Sequence, residues 1–244
     1  MCDASVGPMT SPGPILFLGA PGVGKGTQAR RVARLWGIPH ISTGELLRAN
    51  VSQRTPLGKA AQEIIDNGAL VSDDIVNEMV EVRLAEADCE HGYILDGFPR
   101  TLTQAVWLDR CLSSGSVQPP IVGIKIHLSE GELLLRISGR RSCPVCHTAY
   151  NVYFNPPTRE KYCDRGCAEL IHRSDDYEET VGKRLRVYEQ RTAPVIAHYS
   201  SLGYLAEVNG SQAVETVAAG IVAAVGRLRG LASPIFGSHL TIQR

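Results

Sequence analysis

The first residues able to do chemistry are Gly19-Ala20-Pro21-Gly22-Val23-Gly24-Lys25-Gly26-Thr27. Glycines let a backbone curl so that several N–H groups point at one anion. A helix opening at the end of the run adds its partial positive charge, and Lys25 can reach the outer phosphates. The pattern predicts a loop that cradles phosphate. A second group is Tyr93-Ile94-Leu95-Asp96-Gly97-Phe98-Pro99-Arg100. It reads as a strand ending in a carboxylate, then a glycine turn and an arginine. Asp96 is expected to hold Mg²⁺ through its waters, since hard cations prefer oxygen ligands. Arg100 can fork onto a phosphate. A third group is Cys143-Pro144-Val145-Cys146 with Cys163-Asp164-Arg165-Gly166-Cys167. Two cysteine hairpins at this separation have the spacing of a structural tetrahedral zinc site. The segment between them is too small and polar to hold itself by burial, so a metal staple suits it.

Elements must position these groups. Ile15 to Leu18, Ile38 to Ile41, Tyr93 to Leu95, Ile121 to Leu128 and Tyr204 to Val208 read as five strands. Amphipathic helical patterns follow most of them. Ser42 before Glu45, Thr101 before Gln104 and Ser129 before Glu132 carry the three-residue offset of a capping box. Strand–helix alternation predicts an α/β fold: a five-stranded parallel sheet with helices on both faces. In such folds ligands bind at the carboxyl ends of the strands.

The hydroxyl after Lys25 arrives one position late, at Thr27, and this Gly24-Lys25-Gly26-Thr27 form resembles the nucleoside monophosphate kinases. Asp96-Gly97-Phe98-Pro99-Arg100-Thr101, with Ser42-Thr43-Gly44-Glu45 upstream and Gly68-Ala69-Leu70-Val71-Ser72-Asp73 between, resembles the adenylate kinase family. The resemblance runs from about Ile15 to Val225. It implies phosphoryl transfer from Mg·ATP to AMP, giving ADP. It also implies a core over 14–41, 72–138 and 177–229, an AMP-binding helical insert over 42–71 and a cysteine-bearing lid over 139–176. By the same resemblance Thr43, Arg48, Ala69, Leu70, Val71, Gly97, Phe98, Pro99, Arg100 and Gln104 match positions that hold AMP. Gln104 would read the adenine edge. The resemblance also implies that Gly22, Val23, Gly24, Lys25, Gly26 and Thr27 are the residues that hold the ATP phosphates. Arg136 and Arg140 match arginines that meet ATP, and Ala149, Tyr150 and Gln212 match lesser ATP contacts. Arg173 and Arg184 match arginines that converge on the phosphates of both substrates. Lys25, Arg100, Arg136, Arg140, Arg173 and Arg184 would be the catalytic set. The zinc-bearing lids it resembles place Cys or Asp at the position of Gly166. Here the thiol has moved to Cys167, the favoured fourth ligand, with Asp164 and His147 as alternatives. Unbound thiols or a disulfide are the alternative to zinc. A plainer reading makes Asp175 and Asp176 helix-start residues, and Arg184 and Arg186 solvated charges.

The chain has 244 residues, 43% of them hydrophobic and 20% charged, which excludes a disordered polymer. Twenty-five basic residues balance twenty-five acidic ones, so the whole surface does not grip nucleic acid or acidic lipid. Twenty of the basic residues are arginine, a bias that for most of them reflects the nucleotide composition of the gene, while six match the phosphate-gripping set. No apolar run reaches a membrane span, and residues 1–14 lack the pattern of a secretory signal. A cytoplasmic setting is expected, with mobile tails over 1–13 and 230–244, and the resemblance implies a monomer. Rival readings are a monophosphate kinase for another base, or a nucleic-acid module. The latter would use the cysteine hairpins with Arg140, Arg141 and Arg159 beside Tyr150, Tyr153 and Phe154.

Overall fold

In the computed structural model, residues 12–113 and 120–230 are described. The tails expected over 1–13 and 230–244 lie almost wholly outside them. Among the described residues, β1 (Gly13–Leu18), β2 (His40–Ser42), β3 (Gly92–Asp96), β4 (Val122–His127) and β7 (Leu205–Asn209) form one sheet. Its order is β2-β3-β1-β4-β7, and every pairing is parallel. The predicted fold class is therefore observed.

Alternation along β1 sends Ile15 and Phe17 to one face and Leu16 and Leu18 to the other, as the two-residue period of a strand requires. On the first face they meet Ala29, Val32 and Ala33 of α1 (Lys25–Trp36). Ile221 and Val225 of α9 (Val214–Leu228) join the same cluster. On the second face they meet Val76 and Val80 of α4 (Asp73–Leu84), Leu108 of α5 (Leu102–Ser113) and Val195 of α8 (Ala193–Ser201). Two buried layers therefore clamp the sheet and hold its strand ends in place.

Two local expectations needed adjustment. β2 begins at His40 rather than Ile38, because Ile38 N–H is still occupied by Ala33 O at the end of α1. Only the N-cap half of the capping box forms at Ser42, whose hydroxyl accepts from Glu45 N, and at Thr101, whose hydroxyl accepts from Gln104 N, because the Glu45 side chain goes to Arg30 and that of Gln104 to Arg100 N and Asp73. At Ser129 it does not form. The side chain makes no capping bond there, and Glu132 turns along α6 (Glu130–Ser138) to pair with Arg136 at 2.9 Å.

Between β2 and α4 lie α2 (Thr43–Ser52) and α3 (Pro56–Asp66), with Thr55 Oγ capping Gly58 N at 3.0 Å. After α6, β5 (Arg140–Ser142) and β6 (Ala149–Asn151) make a short antiparallel ribbon. Its small core is Cys143, Tyr150, Cys163 and Leu170. A 3₁₀ turn at Ser174–Asp176 then leads into α7 (Glu178–Val187).

Candidate active site

The phosphate loop leaves the carboxyl end of β1 and enters α1 at Lys25, as its residues require. Gly22 has φ +86, and a Cβ there would lie 2.4 Å from Ile137 Cγ1, so only glycine fits against α6. A Cβ on Gly26 would sit 3.3 Å from Asp96 Oδ2. The missing side chain after Lys25 thus leaves room for the carboxylate at the end of β3. Lys25 Nζ donates to Gly19 O at 2.8 Å and Ala20 O at 2.9 Å. Burial lowers its pKa to about 8, Asp96 working against the shift and Arg100, Arg184 and Arg140 adding to it. Burial would raise the Asp96 carboxyl, but the hydrogen bond from His40 and the charge of Lys25 hold it below its ordinary value. Val23 is buried, and Thr27 faces out at the first turn of α1.

Next to the loop lies a half-open pocket walled by polar and charged side chains. Thr43, Arg48, Ala69, Leu70, Val71, Gly97, Arg100, Gln104, Arg173 and Arg184 all line it. Phe98 does not. Its ring is fully buried, edge-on to Trp107 at 6.0 Å, so it supports the turn from beneath. That turn is drawn together at Gly97 O, which accepts from Thr43 Oγ1 at 2.9 Å and Arg100 Nε at 2.7 Å. Burial, with Arg173 nearby, lowers Arg48 to about 9; burial lowers Arg184 to about 10.

Asp175 and Asp176 are not mere helix-start residues. Asp176 is fully buried and accepts from Arg140 Nε at 2.6 Å, again from Arg140 Nη2, and from Arg184 Nη1 at 2.9 Å. Asp175 takes Arg173 Nε at 2.8 Å and a second bond from Arg173 Nη2, with Arg184 Nη1 at 3.1 Å. Burial would raise its carboxyl, but Arg184 and Arg173 hold it well below the carboxylate range. Arg184 is therefore no solvated charge. Sequence reasoning missed the pair because an acidic residue before a helix has a sufficient local explanation. Burial alone distinguishes the two roles.

The balance of charge decides what this arrangement can do. Lys25, Arg48, Arg100, Arg140, Arg173 and Arg184 gather around Asp96, Asp175 and Asp176. Glu45, near Arg48, is engaged by Arg30. Six cations against three carboxylates leave an excess that suits polyanionic ligands. Arg136 stands at the edge of this group, bonded to Glu132 and to Gly210 O at 3.1 Å, and 5.9 Å from the Phe154 ring centroid. Gln212 is exposed two residues beyond Gly210.

Ala149 and Tyr150 pair with Ser142 and Arg141 across the ribbon. The Tyr150 side chain turns inward. Its hydroxyl lies 3.5 Å from Cys163 Sγ and accepts from Asp164 N at 2.9 Å, so any contact it makes with a nucleotide is through its backbone. The sulfurs of Cys143, Cys146, Cys163 and Cys167 all lie within 4.8 Å of one another. Tetrahedral thiolate zinc, with bonds of about 2.3 Å, needs sulfurs about 3.8 Å apart. Four thiolates this close repel one another and call for a cation, so the donor set fits zinc. Asp164 Oδ1 is instead occupied by Thr158 N at 2.8 Å, and His147 is exposed outside the cluster.

Comparison with known proteins agrees with this geometry. The family model described as adenylate kinase matches residues 17–204. The adenylate kinase of Citrifermentans bemidjiense is 48% identical over 212 residues, covering 86% of this chain and 98% of that protein. That of Bacillus subtilis is 45% identical over 215 residues, covering 88% and 99%. That of Lachnospira eligens is 45% identical over 212 residues, covering 87% and 99%.

Proposed function

The chain belongs to the adenylate kinase family, and from that premise we propose how its own residues carry the reaction. It is a phosphotransferase that moves the terminal phosphoryl group of ATP onto AMP to give two ADP. An oxygen of the AMP phosphate attacks the γ-phosphorus, and the bond to the β-bridging oxygen breaks. The attacking oxygen is already ionised, so no side chain need remove a proton. Two polyanions must instead be brought together and aligned, which is a task for positioning and charge. The observation that carries this reading is the excess of cations between the phosphate loop and the Gln104 pocket.

In this reading the loop from Gly22 to Thr27 holds the ATP phosphates, with Lys25 on the outer ones. Arg48 and Arg100 clamp the AMP phosphate inside the pocket. Arg173 and Arg184, fixed by Asp175 and Asp176, sit where the phosphates of both substrates meet. Arg140 joins them from the ribbon through Asp176, and Arg136 meets ATP beside the Gly210 turn with Gln212. Adenylate kinases use Mg²⁺ with ATP; Asp96 would hold it, and the ion would neutralise part of the triphosphate charge. The residues after α6, from 139 to 176, would cover ATP, and those from 42 to 71 would enclose AMP. Covering the site excludes water, the competing acceptor.

Cys143, Cys146, Cys163 and Cys167 would hold a structural zinc that braces the ribbon. Purified protein is expected to contain one zinc per chain, and Cys167→Ala to lose most of it, with a melting temperature lower by roughly 5–10 °C. Unchanged zinc content in that variant would remove Cys167 as a ligand.

The nucleic-acid reading loses two of its six residues, because Arg140 is tied to buried Asp176 and the Tyr150 side chain faces the cysteines. Among the described residues no helix is long and apolar enough to cross a membrane. A coupled assay offering AMP, CMP, UMP and GMP beside ATP tests the acceptor. AMP is expected to be used best, and a preference for another base would defeat the assignment.

A further inference from the structure

Gln104 is buried in the wall of the AMP pocket, and both ends of its amide are engaged. Its Oε1 accepts from Arg100 N at 2.7 Å, and its Nε2 donates to Asp73 Oδ1 at 2.7 Å. The other Asp73 oxygen accepts from Thr101 Oγ1 at 2.8 Å. A carboxylate can only accept and a backbone N–H can only donate. Turning the amide over would set oxygen against oxygen at Asp73 and N–H against N–H at Arg100. One orientation is therefore enforced by two partners of opposite character.

That orientation has a chemical consequence in the pocket. Nε2 carries two hydrogens and Asp73 takes one, so in this orientation Nε2 keeps a hydrogen to donate, beside an Oε1 that can only accept. Adenine N1 is an acceptor and matches it. Hypoxanthine and guanine carry a hydrogen on N1 and present a second donor instead. We propose that Asp73 is a specificity-determining, positioning residue: it locks the Gln104 amide so that the pocket offers a hydrogen-bond donor and thereby favours adenine over 6-oxopurines. This rests on the reading that the pocket takes the acceptor nucleotide. Asp73 acts through Gln104 and needs no contact with substrate. With Asp73 replaced, only Arg100 N–H opposes rotation, and the opposite orientation becomes available to a base with an N1 hydrogen.

The test compares wild type, Asp73→Ala and Asp73→Asn in steady-state kinetics with AMP and IMP as acceptors. Asparagine keeps an acceptor oxygen for Gln104 Nε2, whereas alanine does not. Asp73→Ala is expected to raise KM for AMP about tenfold and to narrow the AMP-to-IMP ratio of kcat/KM at least about tenfold, the weight of one buried hydrogen bond. KM for ATP should stay within about twofold, and Asp73→Asn within about threefold of wild type throughout. A merely structural role at the start of α4 would lower the melting temperature and leave the AMP-to-IMP ratio unmoved, which would overturn the proposal. Equal loss of discrimination in Asp73→Asn would also overturn it. If the alanine variant does not fold, Asp73→Ser suits a helix start but is too short to hold Gln104, and the same ratio decides. Wild type failing to use AMP would defeat the functional reading itself, whereas wild-type AMP use with an unmoved ratio defeats only the role of Asp73.

Discussion

Replacing Lys25 with methionine is expected to lower kcat/KM for ATP on the order of 10³-fold while leaving the melting temperature unchanged or raised. The two effects have one cause. Lys25 is a cation held among Arg100, Arg184 and Arg140, with Asp96 as its main counter-charge. In the proposed transition state that charge would meet phosphoryl oxygens, whereas in the free protein it is costly. Burial brings the pKa from 10.5 to about 8, so the charged amine costs more in the folded protein than in the unfolded chain. Between pH 8 and 10.5 the unfolded chain binds more protons at this lysine than the folded one, and stability from this group rises with pH over that window. Below pH 8 its full cost is present, and methionine removes it. Activity runs the other way. kcat/KM for ATP, which reports the free enzyme, should decline as pH rises through about 8 and the charge is lost. Lys25→Arg, which stays charged, should flatten that limb. Pre-steady-state and steady-state rates with melting curves check both halves. A Lys25→Met enzyme within tenfold of wild type would contradict the role.

Asp176→Ala is expected to destabilise the protein by about 3–5 kcal/mol, the cost of removing one partner from a buried ion pair. Asp176 is fully buried and receives both Arg140 and Arg184. Arg173 Nε also lies 3.9 Å away. Alanine would leave two guanidinium groups in the interior with Asp175 as the nearest carboxylate. Arg140 belongs to β5 and Arg184 to α7, so the same substitution unties the ribbon from the core helix. kcat should therefore fall together with stability, and Asp176→Asn, which retains an acceptor, should lose less of both. Urea unfolding monitored beside kcat measures this. A loss below about 1 kcal/mol would mean that the arginines find other partners and that Asp176 does not organise them.

The parallel sheet was legible because β1, β3 and β4 are apolar runs bounded by chemistry-bearing turns, and burial on both faces leaves little other use for such runs. The phosphate loop and the Asp96 to Arg100 turn were legible because glycine spacing and strand context constrain them tightly. Cys167 was legible as a fourth thiol, and the sulfur cluster includes it. Long-range partnership was not legible. Nothing local distinguishes Ser129, whose side chain makes no cap, from Ser42, whose hydroxyl caps Glu45 N, since in both the glutamate three residues on pairs with an arginine. Asp73 lies thirty-one positions from Gln104, and Asp176 thirty-six from Arg140. Such pairs come together only when the sheet brings distant loops to one edge. The inward turn of Tyr150 depends likewise on where Cys163 arrives.

The central claim is direct transfer between two nucleotides held side by side, and following the label tests it most directly. Wild-type protein is mixed with Mg²⁺, ATP labelled in the γ-phosphate and unlabelled AMP, and the early products are separated. Label is expected in the β-phosphate of the ADP formed from AMP, with negligible free phosphate and no labelled ADP when AMP is omitted. Label released mainly as inorganic phosphate, or carried to another nucleoside monophosphate in preference to AMP, would contradict it.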